Sequence, residues 1–418
     1  MARNQKIAFT GPYSDINFGD YAMLVNNIYD LDINDVILFS YNDNFLNKIK
    51  SDYLQNYKIE IIEVDLGENY YNSTYDDNRT LTPIEIIGFT RNYDDIAAKL
   101  RMVNTLVVNG GGYFNSLWSM PHRIERLIKI IIPILIANQL NKNIVFTGNS
   151  YGPFGKDSEL FKCFFNVLKN AVFGSRDSLY SPAWAKQIGL DDKNIKYIPD
   201  DLFVINERIQ NRDNKISCPF KKYMIMEMYL TLDFIKSNID NFKNFSNNIY
   251  DKYNLNILFM PLNTNHGGLE QAIFFDKILD NYSYIDIGNI GYLPLESAAS
   301  LVKKAELVIS TRYHALVLAL ALGTPVVSVL KDVLGDKRYY YNKNYGILTQ
   351  VLKDISFDER IYLKLDYLDA MNYIAENFEE IVNKQRENYS ELYIQNKEEM
   401  KKNRQDFINF IINEDKNV

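Results

Sequence analysis

The sequence has little of what small secreted folds and zinc modules are built from: 2 cysteines and 3 histidines in 418 residues. So few ligands exclude a disulfide framework and any Cys/His zinc domain, and no metal site is expected. Positive charge is not in excess either. With 46 Lys and Arg against 53 Asp and Glu the net charge is −7, which argues against a protein that grips nucleic-acid phosphates. Long apolar runs are missing. The longest, 130–137 and 315–322, are broken by Pro133 and stopped at Gly323, far short of the roughly 20 residues a bilayer span requires. The opening stretch MARNQKIAFTG offers only residues 7–10 as an apolar segment, so no secretory leader is expected. Cys163 and Cys218 are therefore expected as reduced thiols in a cytoplasmic protein. No G-x-G-x-x-G and no P-loop lysine occurs, which leaves a dinucleotide or ATP site of the usual kind without support.

What is present is an ordinary globular balance, 47% apolar and 24% charged, at a length that suits two domains. Short β-branched runs alternate with helical stretches, the pattern of a parallel sheet wrapped by helices. The first series predicts strands at 6–10, 36–40, 58–64, 105–109, 143–147, 171–175 and 195–198. Helices are predicted between them at 20–29, 83–101, 123–140, 158–170 and 178–188. A second series predicts strands at 223–228, 257–260, 284–287, 307–310 and 326–330. The polar, aperiodic segment 206–219 separates the two and reads as a linker. After residue 364 the chain turns charged and helical, with Met371, Ile374, Phe378 and Ile381 spaced for one apolar face. The expected fold class is α/β: an N-terminal Rossmann-like domain over 1–205, a second over 206–365 facing it across a cleft, and a helical extension over 366–418.

In open α/β sheets ligands bind beyond the carboxyl ends of the strands, where loops hand over to helix N-termini. Several such ends carry unusual residues here. The first strand leads into a loop with Asn17 and Asp20, which suits either ligand contact or a helix cap. The fourth runs into Gly110, Gly111 and Gly112, then Tyr113 to Asn115, a composition that implies a close ligand or a tight crossing of chains. Arg176 follows the 171–175 strand and offers a planar, permanently charged anion clamp, or else an internal ion pair with Asp177 or Asp201. The stretch 307–330 is the sharpest. A strand runs into Ser310-Thr311-Arg312-Tyr313-His314 and then an apolar helix closed by Gly323 and Pro325. Ser310 or Thr311 would cap that helix and place Arg312 and His314 in its first turn, where the dipole favours an anion and depresses the histidine pKa. His122 reads as a cap or surface residue, and His266, in the turn 263–268, either lines the cleft or serves the turn.

Phe18-Gly19-Asp20, the run 109–112, the run 148–153, Ser175-Arg176-Asp177-Ser178 and above all Ser310-Thr311-Arg312-Tyr313-His314-Ala315 follow one another in an order that resembles the polysaccharide pyruvyl transferase family. The resemblance runs from about residue 6 to residue 337. It departs at Tyr313, where leucine is expected, and at Asn149 and Tyr151, where Gln and Ile are usual. It implies a fold similar to two-domain glycosyltransferases of the GT-B type. It also implies transfer of pyruvate from phosphoenolpyruvate onto two hydroxyls of a sugar in a surface or capsular polysaccharide or its precursor, with release of phosphate. Phosphoenolpyruvate is then the donor substrate and no separate cofactor is needed. His314 is implied as the acid/base, Arg176, Arg312 and Tyr313 as donor contacts, and Asn17, Asp20, Gly111, Gly112, Asn115 and His266 as the acceptor or cleft side. The acceptor would be a sugar or a lipid-linked oligosaccharide, which leaves scope for peripheral association with the inner face of the membrane. Residues Lys401, Lys402 and Arg404 beside Phe407 and Phe410 would serve that association, or else pack. The alternative is a nucleotide-sugar glycosyltransferase on the same frame, with Glu296 as its ribose-binding carboxylate, and after that a non-catalytic protein of a glycan pathway.

Overall fold

A computed structural model of the chain describes residues 3–14, 16–73, 80–214, 216–264, 268–332 and 337–414. The predicted alternation of strands and helices resolves into two parallel sheets. The first contains β1 (Arg3–Thr10), β2 (Ile33–Ser40), β3 (Lys58–Glu63), β4 (Thr105–Val108), β5 (Gly111–Phe114), β6 (Asn143–Tyr151), β7 (Ala171–Ser175) and β8 (Ile195–Tyr197). Their order is β3-β2-β1-β4-β6-β7-β8, with β5 pairing along β6 after β4 has ended. The second contains β9 (Tyr223–Met226), β10 (Asn256–Phe259), β11 (Tyr282–Tyr284), β12 (Val308–Ser310), β13 (Val326–Val329) and β14 (Leu363–Lys364), in the order β11-β10-β9-β12-β13-β14. A parallel strand covered by helices on both faces cannot alternate apolar with polar residues. Accordingly β4 reads TLVV and β9 reads YMIM, with every residue buried.

Each sheet carries its own core. In the first, the helix Ile124–Gln139 drives Leu127, Ile128, Ile131, Ile134 and Leu135 against the strands, continuous through Pro133. Phe114, Phe146, Tyr151, Phe165 and Phe173 interlock beside it with ring centroids 4.9–6.5 Å apart. Much of the aromatic content thus fills this core. In the second, the helix Tyr313–Leu322 is buried nearly all round, which is why its sequence shows no polar stripe. The helix Tyr367–Asn388 packs with the predicted face: Met371, Ile374, Phe378 and Ile381 are all buried. Gln385 from the same face is fully buried and clamps β13, accepting from the Val326 N–H and donating to the carbonyls of Val326 and Ile361.

The helix predicted over 83–101 is two, Pro83–Gly88 and Tyr93–Arg101. The first opens on a capping box between Thr82 and Glu85, with Pro83 at its first position. The compact units also part company with the expected divisions. One comprises Met1–Asp15, Asp20–Asp201 and Met400–Val418, the other Ile16–Gly19 and Leu202–Glu399. Residues 366–399 therefore count with the second unit and Met400–Val418 with the first, so the final segment does not stand apart as an extension. Among the described residues no helix is long and apolar enough to cross a membrane.

Candidate active site

In the second unit three neighbouring strands, β9, β12 and β13, deliver Glu227, Arg312 and Lys331 just beyond their carboxyl ends. Glu227 is fully buried and is the organising group. One carboxylate oxygen accepts from Ser310 Oγ at 2.7 Å and from the backbone N–H groups of Thr311 and Arg312 at 3.1 and 3.0 Å. The other lies 3.1 Å from Arg312 Nε. The free N–H groups of the turn entering the helix thus already have an internal anion, and Arg312 is held against it. Arg312 is itself the N-cap residue, with extended backbone (φ −93°, ψ 130°), so the helix begins at Tyr313. Neither Ser310 nor Thr311 caps it. Their hydroxyls instead bind Glu227 and, in the case of Thr311, accept the Tyr229 N–H at 2.6 Å.

Tyr313 and His314 are the first two helical residues, with rings edge to face at 5.3 Å. Tyr313 is buried and His314 half-buried. The segment Ile16–Gly19 joins this unit through a bridge between Asn17 and Asn263 and a 3.0 Å bond from the Phe18 N–H to the Leu262 carbonyl. It brings the start of the helix Phe18–Leu31 against His314. A side-chain carbon at Gly19 would overlap Nδ1 of the imidazole, so only glycine permits this approach. Around Arg312 lies a ring of cations and tyrosines. The Tyr229 ring has the Arg312 guanidinium at 4.8 Å and Lys331 Nζ at 2.9 Å, and Lys343 Nζ sits 4.1 Å from the rings of Tyr339 and Tyr340 and 5.3 Å from that of Tyr313. Burial first, and then Tyr339, pushes the Tyr340 hydroxyl well above its ordinary range, so it stays neutral although Arg312 pulls the other way.

In the first unit the remaining candidates lie along the carboxyl edge of its sheet. Gly111 pairs with Asn149 of β6, and the Arg176 N–H donates to the Asn149 carbonyl at 3.1 Å. Arg176 is buried and engaged: Nη1 lies 2.8 Å from Asp200 Oδ2 and Nε donates to Ser150 Oγ at 2.6 Å. Its acidic partner is Asp200, neither of the two aspartates considered from the sequence. Asp177 instead caps the next helix, accepting from the N–H groups of Leu179, Tyr180 and Ser181. Asn115 closes a turn, donating to the Gly112 carbonyl and accepting the Leu117 N–H. Asp20 is buried and close enough to Tyr113 to help burial raise that phenol's pKa. His122 is exposed, and His266 lies outside the described residues.

The glycines here have an internal cause. Asp201, fully buried, receives Thr147 Oγ1 at 2.6 Å, Asn27 Nδ2 at 2.9 Å and the N–H groups of Gly110 and Gly148 at 3.2 Å each. A side-chain carbon at Gly110 would overlap the carboxylate. Arg404 completes the cluster, reaching Asp201 at 3.0 Å, Asp30 at 2.5 Å and Asn27 Oδ1 at 2.8 Å. Burial opposes the Arg404 charge, but Asp30 and Asp201 outweigh it and raise its pKa. Phe407 is buried in the same unit and Phe410 lies under Lys196 Nζ at 3.8 Å. Arg404 and Phe407 are therefore packed and not turned toward a lipid surface.

The family model for polysaccharide pyruvyl transferases matches residues 17–330. The chain belongs to this family. The match covers β2 to β8 of the first sheet and β9 to β13 of the second, and ends directly before Lys331. Comparison with curated proteins finds no match. Among solved structures, the chain is similar to the Anabaena HepE protein in complex with UDP and glucose: 11% identity, TM-score 0.57, covering 98% of this chain and 99% of that one. It is likewise similar to the UDP-GlcNAc 2-epimerase of Methanocaldococcus jannaschii (13%, TM-score 0.55, 91% and 94% covered) and to a spinosyn rhamnosyltransferase (10%, 0.54, 95% and 96%). At such identity these likenesses show the GT-B fold expected from the sequence, and nothing of substrate. Glu296, the carboxylate a nucleotide-sugar reading would use, is buried with Arg212 Nε 3.6 Å away.

Sequence reading missed Glu227, Lys331 and Lys343. A signal existed for Glu227: an acidic residue set directly after four buried apolar ones needs a buried partner. For Lys343, in RYYYNKNYG, nothing local separates a site residue from an exposed helix lysine.

Proposed function

We propose that the protein transfers pyruvate from phosphoenolpyruvate to a pair of sugar hydroxyls, forming a cyclic ketal and releasing phosphate. One observation carries this reading: in a chain of this family, His314 stands at a helix N-terminus beside a group of cations, Arg312, Lys331 and Lys343, of which Arg312 is paired with Glu227. A three-carbon donor that carries a carboxylate and a phosphate needs such cations and needs no nucleotide pocket.

The proton balance assigns a task to His314. Two hydroxyl protons are lost in forming the ketal; one ends on the donor's methylene carbon, making the methyl group, and the other on the departing phosphate. Protonation at the methylene carbon leaves C2 oxocarbenium-like. The first hydroxyl then bonds to C2, the C2–O bond to phosphate breaks, and the second hydroxyl closes the ring. His314 moves the proton between hydroxyl and methylene, which makes it a general acid and base in turn. The Gly19 backbone against Nδ1 fixes the ring while this happens. The family motifs further assign Asn17, Asp20, Gly111, Gly112 and Asn115 to the sugar. Incubating the protein with phosphoenolpyruvate and a panel of hexosides and lipid-linked sugars, then weighing products by mass spectrometry, tests the reading. A product heavier by the ketal increment, with one phosphate released per ketal, is expected. Turnover of UDP-sugars instead of phosphoenolpyruvate would replace this reading with glycosyl transfer.

A further inference from the structure

Glu227 is fully buried and has no direct contact to offer a substrate. A carboxylate so placed is costly unless donors and cations surround it, and here its two oxygens serve separate parts of one residue. One gathers the Ser310 hydroxyl and the N–H groups of Thr311 and Arg312, which fixes the main chain entering the helix Tyr313–Leu322. The other lies 3.1 Å from Arg312 Nε and fixes the side chain of that arginine. Glu227 is held in its turn. Its N–H donates to the Ile309 carbonyl at 2.9 Å, and its carbonyl accepts from the hydroxyl of buried Tyr367 at 3.3 Å. Two residues on, the Tyr229 N–H donates to Thr311 Oγ1 at 2.6 Å, and the Tyr229 ring lies 4.8 Å from the guanidinium. Main chain, inner edge and face of Arg312 are thus all set by residues just beyond the carboxyl end of β9.

We infer that Glu227 is the positioning residue of the donor site: it acts through Arg312, holding the guanidinium in the plane in which it meets the anionic donor. This role rests on the reading of Arg312 as a donor contact. An arginine fork recognises an anion by direction as well as by charge, and its long stem is rich in rotamers. A fixed carboxylate behind Nε removes that freedom before the donor arrives. Charge alone predicts the opposite sign, because a carboxylate beside the arginine weakens the attraction that an anion feels. Glu227 therefore favours binding only if the orientation it imposes outweighs the field it subtracts, and that contrast makes the role measurable.

Full-length protein, Glu227→Gln, Arg312→Lys and the double variant are titrated by calorimetry with phosphoenolpyruvate and UDP. An amide has one acceptor oxygen, and with that oxygen on the backbone N–H groups its NH2 faces Arg312 Nε. Glu227→Gln is expected to weaken phosphoenolpyruvate binding about ten- to a hundredfold, the value of one charged hydrogen bond, although it removes a negative charge. In the Arg312→Lys background, whose ammonium has no plane to hold, the same change is expected to cause no further loss. Glu227→Asp keeps both oxygens and is expected to regain part of the affinity. Should Glu227→Gln fail to fold, Glu227→Asp takes its place in the cycle, with a smaller loss expected. Unchanged or tighter binding in the Glu227 variant overturns the inference and leaves pyruvyl transfer standing, and so do losses that add in the double variant, the mark of a merely structural role. Binding of UDP and not phosphoenolpyruvate by the parent removes pyruvyl transfer; the positioning role then stands if the UDP losses couple and falls if they add. Binding of neither ligand removes both.

Discussion

His314 owes its usefulness to a neighbour with no side chain. Gly19 occupies the second position of the helix Phe18–Leu31, where alanine would ordinarily add about 0.5–1 kcal/mol of stability. At this site the added methyl strikes the imidazole. Gly19→Ala is therefore expected to lower the melting temperature and to cut kcat at least tenfold, while Gly19→Ala combined with His314→Ala regains the lost stability. A double-mutant cycle read by thermal melting checks this, and additive effects would remove the contact from the account. Loss of a general acid or base typically costs ~10²–10⁴ in rate. His314→Ala should thus lose almost all phosphate release from phosphoenolpyruvate while keeping its circular dichroism spectrum and its affinity for phosphate. Full turnover in that variant would sink the proposed mechanism.

Elements show where local sequence suffices and where it does not. Twelve of the strands, from β1 to β13 apart from β5, were legible as short runs of strand-forming residues; central strands such as β4 and β9 are buried at every residue, whereas β3, β8 and β11 keep part-exposed positions. The pair β5 and β14 was not: GGYF lacks a β-branched residue, and Leu363–Lys364 is two residues long. Glycine-rich strand ends signalled a close approach without saying of what. At Gly110 and Gly148 the answer is Asp201, a residue more than fifty positions downstream, and no local pattern encodes such a meeting. The same holds for Arg312 and Arg176, whose motifs were readable while their partners Glu227 and Asp200 were not. Long-range clamps of this kind are also where stability concentrates. Gln385→Leu strands three buried backbone groups on β13 and the Ile361 turn, at about 1–3 kcal/mol for each group left without a partner. Urea denaturation followed by fluorescence should register a lower midpoint.

For the molecule as a whole, the final helix Glu391–Glu414 is a structural member of the fold. Arg404→Met leaves the buried Asp201 and the part-exposed Asp30 without their cation and is expected to cost about 3–5 kcal/mol in the first unit. Deleting Met400–Val418 removes Phe407, Ile408, Ile411 and Ile412 as well. Hydrogen exchange on that truncated chain should show the amides of β4 and β6 losing protection while those of β9 and β12 keep theirs. Equal loss in both sheets would mean the two units do not respond separately.

The Asp201 cluster sets a timetable for synthesis. Nearly all of the first unit is made before residue 202, yet the cation for its buried Asp201 lies at position 404. While the ribosome adds the intervening two hundred residues, the older half lacks Phe407, Ile408, Ile411 and Ile412 from its core and the cation that balances Asp201. The younger unit has all its strands by residue 364 and its covering helix by residue 388, so its core is complete before Arg404 is made. A cell that makes this protein must therefore shelter its earliest-made half the longest, and chaperone dependence should fall on the N-terminal sheet.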